Sequence, residues 1–597
     1  MVFAAPVADI LFALEHTARF DELTGARAFA GIDRDTVAAV LTEAGRFATE
    51  VVAPLNRVGD LEPARLEGGA VVTPPGFADA YRRWCDGGWN GLAADAALGG
   101  QGLPHAVDIA VSEMVNAGSL SFALALLLNQ GAASALAAHA GAEIRARYLP
   151  RLVSGEWTGT MNLTEPQAGS DLALIRTSAT PAGDGRYRIR GQKIFITYGD
   201  QDWTENILHL VLARLPDAPE GTRGISLFLV PKRLVGEDGS PGPANDVRCL
   251  RLEHKLGIHG SPTCVMAYGE EGEGAVGYLV GEEHRGLAAM FTMMNLARLA
   301  VGVQGVAVAE RASQEAAAYA AERRQGRRPG DPAGAPVAIA EHPDVARMLT
   351  TMRALVAAAR AICLNTAVSI DLAAHAESED ERARHRARSD LLTPLAKAFS
   401  TDIGVEVASM AIQVHGGAGY IEETGAAQHL RDARILPIYE GTNGIQAIDL
   451  AMRKVAGDGG RAAGALIAEL GDIAEAASAT NEPLLGRTGE RLKEAVGDLA
   501  RTTDWIVATA GGNTDTVLAG ATAYLRLFGL AAGGGFITRG ALGAARSGEA
   551  GDAARAERIG LARYFAECLL AETGSLARSV IGGGDALLAY RHPAAPR

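Results

Sequence analysis

The chain has 597 residues, of which 48% are hydrophobic and 21% charged, and its formal net charge is −14. These values predict a globular protein of several domains and argue against a nucleic-acid-binding surface, which needs clustered positive charge. The five cysteines are scattered without C-x-x-C spacing, and the 13 histidines include no H-E-x-x-H pair. Neither a disulfide framework nor a metal centre is therefore expected.

The first residues lack the positively charged region of a signal peptide. No long run of uncharged apolar residues follows, so we expect no membrane span. Together with the cysteine pattern, this favours a reducing, cytoplasmic location.

The N-terminal part of the sequence predicts helices. An extension over 1–32 contains one short amphipathic helix at 8–22, and residues 33–158 form a domain that we predict to be all-helical. Its helical patterns cover 36–52, 77–84, 107–116, 121–128 and 142–149.

Residues 159–283 show a different pattern, with short β-rich runs separated by Gly and Pro, and predict an antiparallel β domain. Gly272–Gly277 spells G-x-G-x-x-G, the fingerprint of a dinucleotide site. An extended run follows it instead of a helix, so we interpret it as a hairpin turn and predict no NAD site.

Long helical patterns return over 284–456 and predict a four-helix bundle. They cover 291–324, 343–376 and 388–414, with a basic Gly/Pro-rich connection at 326–336, and the segment after Gly441 supplies the fourth helix. Residues 462–597 predict an additional helical domain that packs against the bundle, with helices at 466–477, 492–508, 514–530 and 553–570. The predicted fold class is mainly α with a central β domain.

One stretch, 434–442, places a single carboxylate, Glu440, between an apolar approach and Gly441. Ile435, Leu436, Ile438 and Tyr439 would exclude water from this carboxylate and disfavour its charged form, which is typical of a general base. The alternative is a carboxylate that caps the start of a helix. These nine residues favour neither interpretation.

Four stretches together resemble the acyl-CoA dehydrogenase family. They are Met161–Asp171 (MNLTEPQAGSD), Gly191–Thr197 (GQKIFIT), Gln413–Tyr420 (QVHGGAGY) and the segment that contains Glu440. Each is weak alone, and their joint order and separation carry the resemblance.

The resemblance implies an FAD cofactor that contacts residues of the first two stretches. Leu163 and Thr164 would contact the isoalloxazine, and Phe195 and Thr197 would also lie at the flavin. Gly169 and Ser170 would lie near the flavin pyrophosphate, with Ser170 also beside the pantetheine of coenzyme A. Many relatives carry Trp at the Phe195 position, so the side chain is smaller here.

The resemblance also implies that a second protomer completes the cofactor site, which makes a homo-oligomer, in particular a homodimer, the expected state. The matching residues are Arg323, Gln325, Gln413, Gly416 and Gly417. Thr442 matches a further flavin contact, although Asn443-Gly444 departs from the usual pattern after it.

Around the substrate, the resemblance implies a binding set of Ser170, Arg298, Tyr439, Glu440 and Gly441. Some relatives carry their base one residue before the arginine that matches Arg298. Here that residue is Ala297, so Glu440 is the catalytic candidate.

The implied reaction is oxidation of an acyl-CoA thioester to the trans-2-enoyl-CoA, with electrons passed to an electron-transferring flavoprotein. Two alternatives are an acyl-CoA oxidase, which uses O₂, and a DNA-associated flavoprotein of the same fold, which the acidic composition disfavours. The extra C-terminal helices resemble the longer branch of the family, whose substrates include 3-(methylthio)propanoyl-CoA and short to long acyl chains.

Overall fold

The computed structural model describes residues 3–328, 330, 333–546 and 552–590. The chain forms two compact units. Unit 1 comprises Met1–Gly45, Pro104–Met114 and Val301–Arg597, and unit 2 comprises Arg46–Leu103 and Val115–Ala300.

Helices dominate the described residues. In chain order they are α1 Val7–Phe12, α2 Phe20–Thr24, α3 Arg34–Phe47, α4 Ala53–Leu61, α5 Phe77–Asp86, α6 His105–Gly118, α7 Leu120–His139, α8 Ala142–Ser154, α9 Gly286–Glu322, α10 Pro343–His375, α11 Glu379–His415, α12 Ala426–Ala433, α13 Asn443–Ile448, α14 Arg461–Ala479, α15 Thr488–Thr509, α16 Thr514–Arg546, α17 Asp552–Tyr564 and α18 Thr573–Ala589. π-Helical turns extend α1, α3, α13 and α17 at their C-terminal ends.

The strands all belong to unit 2. They are β1 Arg65–Glu67, β2 Ala70–Val72, β3 Thr158–Asn162, β4 Ser178–Gly183, β5 Arg186–Thr197, β6 Ile207–Arg214, β7 Ile225–Pro231, β8 Arg233–Val235, β9 Pro241–Ala244, β10 Val247–Leu252, β11 Thr263–Tyr268 and β12 Ala275–Val280. The main sheet has the order β10-β11-β5-β12-β7-β6-β3, and β4 pairs with β5 and β6. Most pairs are antiparallel, as predicted, but β6 runs parallel to both β3 and β4.

The predicted class, mainly α with a central β domain, is confirmed, and several details differ. A two-stranded hairpin of β1 and β2 lies inside the segment that we expected to be all-helical. The helix predicted at 36–52 does not end there, because the chain continues after the π-helical turn at 48–52 as α4, with Pro54 in the first turn, where proline is tolerated. Helix α16 is 16 residues longer than its predicted pattern, and α18 was not predicted.

The hairpin expected at Gly272–Gly277 is wrong. The strands on either side of it, β11 and β12, do not pair with each other. Both run antiparallel to β5, β11 along residues 191–197 and β12 along residues 186–189. β12 begins at Ala275, inside the segment, so the helix that a dinucleotide fingerprint requires is missing.

Helix α16 is the centre of packing in the C-terminal part of unit 1. It is rich in glycine, and a Cβ added at Gly529 would lie 2.3 Å from Phe399 of α11, while one at Gly535 would lie 2.3 Å from Leu470 of α14. The absence of side chains thus allows close helix approach. The N-terminal extension also packs here, because the Arg539 guanidinium donates to the Thr17 carbonyl.

Four of the described helices, α7, α9, α10 and α16, are long and apolar enough to cross a membrane by length and composition alone. Between 61% and 89% of the most apolar window of each is buried within the protein. The absence of a membrane span remains a prediction. The predicted connection at 326–336 lies partly outside the described residues.

Candidate active site

Glu440 lies in a short closed loop of unit 1 that leads into α13. The backbone N–H of Asn443 donates to the Pro437 carbonyl at 2.9 Å and closes this loop. Glu440 is half-buried, with φ 54°, and Gly441 follows with φ 86°. Glycine adopts this left-handed region freely, whereas a glutamate does so at a cost, so the backbone is strained at the candidate base.

The N-cap position of α13 is not occupied by Glu440. The N-cap of α13 is Thr442, whose hydroxyl accepts a hydrogen bond from the Ile445 N–H at 3.3 Å. Hydroxyl side chains are preferred at this position because they satisfy an otherwise unpaired backbone donor. The N-cap hydrogen bond of α13 is therefore supplied by Thr442.

The apolar residues around Glu440 differ in environment. Leu436 is fully buried in the core of unit 1, and Ile435 and Tyr439 are half-buried. Ile438 is 52% exposed. The expectation that Ile438 would exclude water is thus wrong for the single chain, because its side chain faces out of the unit.

Tyr439 and Asn443, on the two sides of Glu440, are held by polar side chains from long helices. The Tyr439 hydroxyl donates to Oε1 of Gln304, a fully buried residue of α9. Nζ of the buried Lys397 in α11 donates to Oδ1 of Asn443 at 2.9 Å, and Nδ2 of Asn443 donates to Asp402 at 2.8 Å. The departure at Asn443 from the usual family pattern therefore places a fully bonded amide at the start of α13.

The residues assigned to a neighbour's cofactor lie at two helix ends. Arg323 and Gln325 are exposed after the end of α9, and the arginine donates to the amide oxygen at 3.5 Å. The other three, Gln413, Gly416 and Gly417, are exposed at the end of α11. The rings of Tyr319 and His415 stack at 4.5 Å between centroids and bring the two ends together.

In unit 2, the structure brings the first two signature stretches together. The Ile194 N–H donates to the Thr164 carbonyl at 2.9 Å, and the Thr160 hydroxyl donates to the Thr197 carbonyl at 2.8 Å. Leu163, Thr164 and Thr197 are half-buried, whereas Gly169 and Ser170 are exposed.

Phe195 lies on a β-bulge of β5. Two residues, Ile194 and Phe195, stand opposite one residue, Val265 of β11, in the pairing register. Phe195 has φ 59° and is 60% exposed. A bulge changes the direction of a side chain, and here it presents an aromatic ring at the surface of the unit.

A buried ion pair of Lys193 and Glu165 holds the backbone at Leu163. Lys193 Nζ donates to Glu165 Oε1 at 2.9 Å and to the Leu163 carbonyl at 3.0 Å. Burial lowers the pKa of Lys193 to about 8 against the opposing effect of Glu165. Burial raises the pKa of Glu165, but Lys193 and the Thr177 hydroxyl outweigh it and hold that pKa at about 2. Both groups are therefore charged at neutral pH.

Arg298, the remaining substrate candidate, is buried in unit 2. Its guanidinium lies 5.9 Å from the Phe291 ring centroid and 3.5 Å from Oδ1 of Asn295. Ala297 is also buried and carries no ionisable group.

Sequence reasoning missed Gln304, Lys397 and the pairing of Lys193 with Glu165. Gln304 could have been found from the sequence, because it is a lone polar residue in the apolar run Leu299–Ala307. The ion pair could not, because its partners are 28 positions apart and come together only through the strand register.

Comparison with known proteins places these residues in a family. Four models match the chain: "Acyl-CoA dehydrogenase, N-terminal domain" over 34–156, "Acyl-CoA dehydrogenase, middle domain" over 160–269, "Acyl-CoA dehydrogenase, C-terminal domain" over 284–455 and "Acetyl-CoA dehydrogenase C-terminal like" over 466–591. A 3-methylmercaptopropionyl-CoA dehydrogenase of Ruegeria pomeroyi is 48% identical over 590 residues, covering 98% of this chain and 99% of that protein. A butyryl-CoA dehydrogenase of Syntrophomonas wolfei is 37% identical over 437 residues, covering 72% and 71%.

Solved structures share the fold. Caenorhabditis elegans ACDH-11 in complex with C11-CoA superposes with a TM-score of 0.77 at 22% identity, covering 97% of this chain and 95% of that one. An acyl-CoA dehydrogenase of Bacillus anthracis complexed with FAD gives a TM-score of 0.74 at 21% identity, covering 94% and 89%. The four matched models and the near full-length relative show that the chain belongs to the acyl-CoA dehydrogenase family.

Proposed function

We propose that this chain is an FAD-dependent enzyme that oxidises an acyl-CoA thioester to the trans-2-enoyl-CoA, with Glu440 as the general base. The observation that carries the proposal is the position of Glu440 in the fold. It is half-buried in a closed loop, and the capping task that competes for a carboxylate there belongs to Thr442. A carboxylate held in this way is suited to proton transfer.

The residues present fit FAD. A Cβ added at Gly169, Gly416 or Gly417 would meet nothing within 4 Å, so the backbone at these positions is open to a ligand. Phe195 presents an exposed ring from its bulge, and Arg323 an exposed guanidinium suited to phosphate oxygens. The proposed binding set is Leu163, Thr164, Gly169, Ser170, Phe195, Thr197, Arg323, Gln325, Gln413, Gly416, Gly417 and Thr442.

The proposed chemistry of the chain is the removal of one proton. The α C–H of a thioester is weakly acidic, so its cleavage needs both a base and donors toward the carbonyl oxygen. Glu440 takes the α proton on its carboxylate, and its backbone N–H polarises the thioester carbonyl. FAD, when bound, supplies the acceptor for the β hydrogen. Tyr439, Gly441, Ser170 and Arg298 complete the proposed substrate set.

For the acyl group we propose 3-(methylthio)propanoyl-CoA or another short to medium chain. The support is the Ruegeria pomeroyi relative, which is 48% identical over nearly the whole chain. The butyryl-CoA dehydrogenase, at 37% identity, supports short chains in general. As the electron acceptor we propose an electron-transferring flavoprotein.

Glu440→Gln tests the proposal. Purified wild type and variant are mixed without oxygen with 3-(methylthio)propanoyl-CoA, butanoyl-CoA and octanoyl-CoA, and the loss of flavin absorbance is followed. We expect the variant to retain the yellow cofactor and to react about 10²- to 10⁴-fold more slowly, because only the base is removed. Glu423→Gln, the same change at an exposed position, serves as the control and should match wild type.

Near-normal reduction of the Glu440→Gln flavin would identify another residue as the base. After reduction of the wild type, oxygen or an electron-transferring flavoprotein is admitted. Rapid reoxidation by oxygen alone would make the protein an oxidase, and reoxidation by the flavoprotein supports the dehydrogenase. No bleaching with any acyl-CoA would contradict the proposed reaction.

A further inference from the structure

The loop that carries Glu440 holds a backbone conformation that its own sequence does not favour. Glu440 and Gly441 are consecutive left-handed residues, with φ 54° and 86°. A non-glycine residue keeps such a conformation only where surrounding contacts hold it. The position of the Glu440 carboxylate therefore depends on what anchors the residues beside it.

On the C-terminal side, the anchor is the amide of Asn443. Its oxygen accepts from Lys397 Nζ at 2.9 Å and from the Thr401 hydroxyl at 3.2 Å. Its nitrogen donates to Asp402 Oδ1 at 2.8 Å and to the Ala398 carbonyl at 3.1 Å. Every partner belongs to α11, so this end of the loop is fixed to one helix.

On the N-terminal side, the residue that directly precedes Glu440 is held by its backbone N–H, which donates to the Ile435 carbonyl at 3.1 Å, and by one side-chain hydrogen bond. The Tyr439 hydroxyl donates to Oε1 of Gln304. Gln304 is fully buried in α9, where it stands among apolar neighbours. Burial, and next the charge of Glu440, raise the pKa of Tyr439 well above its usual value. The hydroxyl thus keeps its proton and remains the donor in this bond.

We propose that Gln304 is a positioning residue for the proton abstraction, acting through Tyr439 to orient the Glu440 carboxylate. This inference rests on the proposed function of Glu440. The Gln304 amide has no chemical role of its own, but it fixes the ring of Tyr439 and thereby the peptide unit that leads into the strained residue. A general base is sensitive to such placement, because proton transfer needs close and aligned groups.

The test uses Gln304→Met, Tyr439→Phe and the double variant in the purified holoenzyme. Methionine retains the length of the side chain, but its sulfur is only a weak acceptor for the Tyr439 hydroxyl, and phenylalanine removes only the hydroxyl. We expect each single variant to lose about 10- to 100-fold in kcat, with KM for the acyl-CoA changed less than about 3-fold. The double variant should lose no more than the worse single variant, because both remove one bond.

A second readout does not depend on turnover. Amide hydrogen exchange of peptides that cover 437–443 should be faster in Gln304→Met than in wild type, because the side-chain bond at one end of the loop is lost. Gln314→Met is the matched control. It makes the same change on the same helix, but Gln314 bonds to Ala4 and Glu310, which lie outside the loop. Its kcat and its exchange over 437–443 should equal those of wild type.

Three outcomes would overturn the inference: an unchanged kcat in Gln304→Met, losses that multiply in the double variant, or a kcat loss with unchanged exchange over 437–443. Glu440→Gln, measured in parallel, separates this inference from the proposed function. If Glu440→Gln is inactive and Gln304→Met is normal, only the role of Gln304 fails. If Glu440→Gln turns over normally, the choice of base itself is wrong.

Discussion

At the scale of single residues, a buried ion pair fixes the backbone of the first signature stretch. Lys193 is fully buried and charged at neutral pH, and it donates to both Glu165 and the Leu163 carbonyl. Removing one partner of a buried ion pair leaves an uncompensated charge, which costs far more than the pair contributes. Leu163 would therefore lose its fixed position if either charge were removed.

Glu165→Gln should destabilise the protein strongly at neutral pH, by about 3 to 5 kcal/mol, because Lys193 would remain buried without its counter-charge. The wild type should also lose stability in acid. The folded pKa of Glu165, about 2, lies below its ordinary 4.5, so this stabilisation is present above pH 4.5 and is lost as the pH falls toward 2. Thermal midpoints between pH 3 and 7 measure both effects.

Glu271→Gln is the control for that experiment, since Glu271 pairs with Arg248 at an exposed site where ion pairs contribute little. Its thermal midpoint should stay close to that of wild type. Two outcomes would contradict the role assigned to the buried pair. One is equal thermal midpoints for Glu165→Gln and Glu271→Gln. The other is a thermal midpoint that depends on pH in the same way in wild type and in Glu165→Gln.

At the scale of elements, glycine explains how α16 fits among its neighbours. Gly529 faces Phe399, Gly533 faces Ala358 and Gly535 faces Leu470, and each position would meet another atom at 2.9 Å or less if it carried a Cβ. Glycine in a helix normally lowers its stability in isolation. Here the loss is compensated by the close approach of three other helices.

Gly529→Ala should destabilise the protein by about 1 to 3 kcal/mol, because the added methyl group would overlap the Phe399 ring. Gly471→Ala in α14 is the matched control, since nothing lies within 4 Å of its added Cβ. There alanine should be neutral or stabilising by up to about 1 kcal/mol, owing to its better helix propensity. Equal thermal midpoints for the two variants would show that α16 is not closely packed at Gly529.

The sequence allowed the elements to be predicted better than their contacts. Periodicity located most of α9, α10 and α11, and Glu440 was found because a carboxylate in an apolar stretch is unusual. The bulge at Phe195 could not be predicted, because it depends on the register of β5 with β11. Gln304 was missed because its partner, Tyr439, is 135 positions away and the contact exists only in the folded chain.

At the scale of the whole molecule, the exposed residues at the ends of α9 and α11 bear on assembly. Arg323, Gln325, Gln413, Gly416 and Gly417 are all exposed in the single chain. The family resemblance predicts that these residues reach the cofactor of another protomer. We therefore propose that a single chain is an incomplete cofactor site.

Sedimentation velocity of the yellow protein should give the mass of a dimer, about twice the 61.9 kDa of the chain. Arg323→Ala should release FAD without unfolding either unit, because the side chain is exposed and the charge is lost from the partner's site. A tetramer at working concentration, or a monomer that retains its flavin, would contradict this prediction.

The bond from Arg539 to the carbonyl of Thr17 has a consequence for biosynthesis. These residues are separated by 522 positions, so nearly the entire polypeptide must leave the ribosome before the first helices reach their final neighbours. Until then their apolar faces are available to chaperones and to other nascent chains. Truncation before α16 should therefore yield an aggregating product instead of a smaller working enzyme.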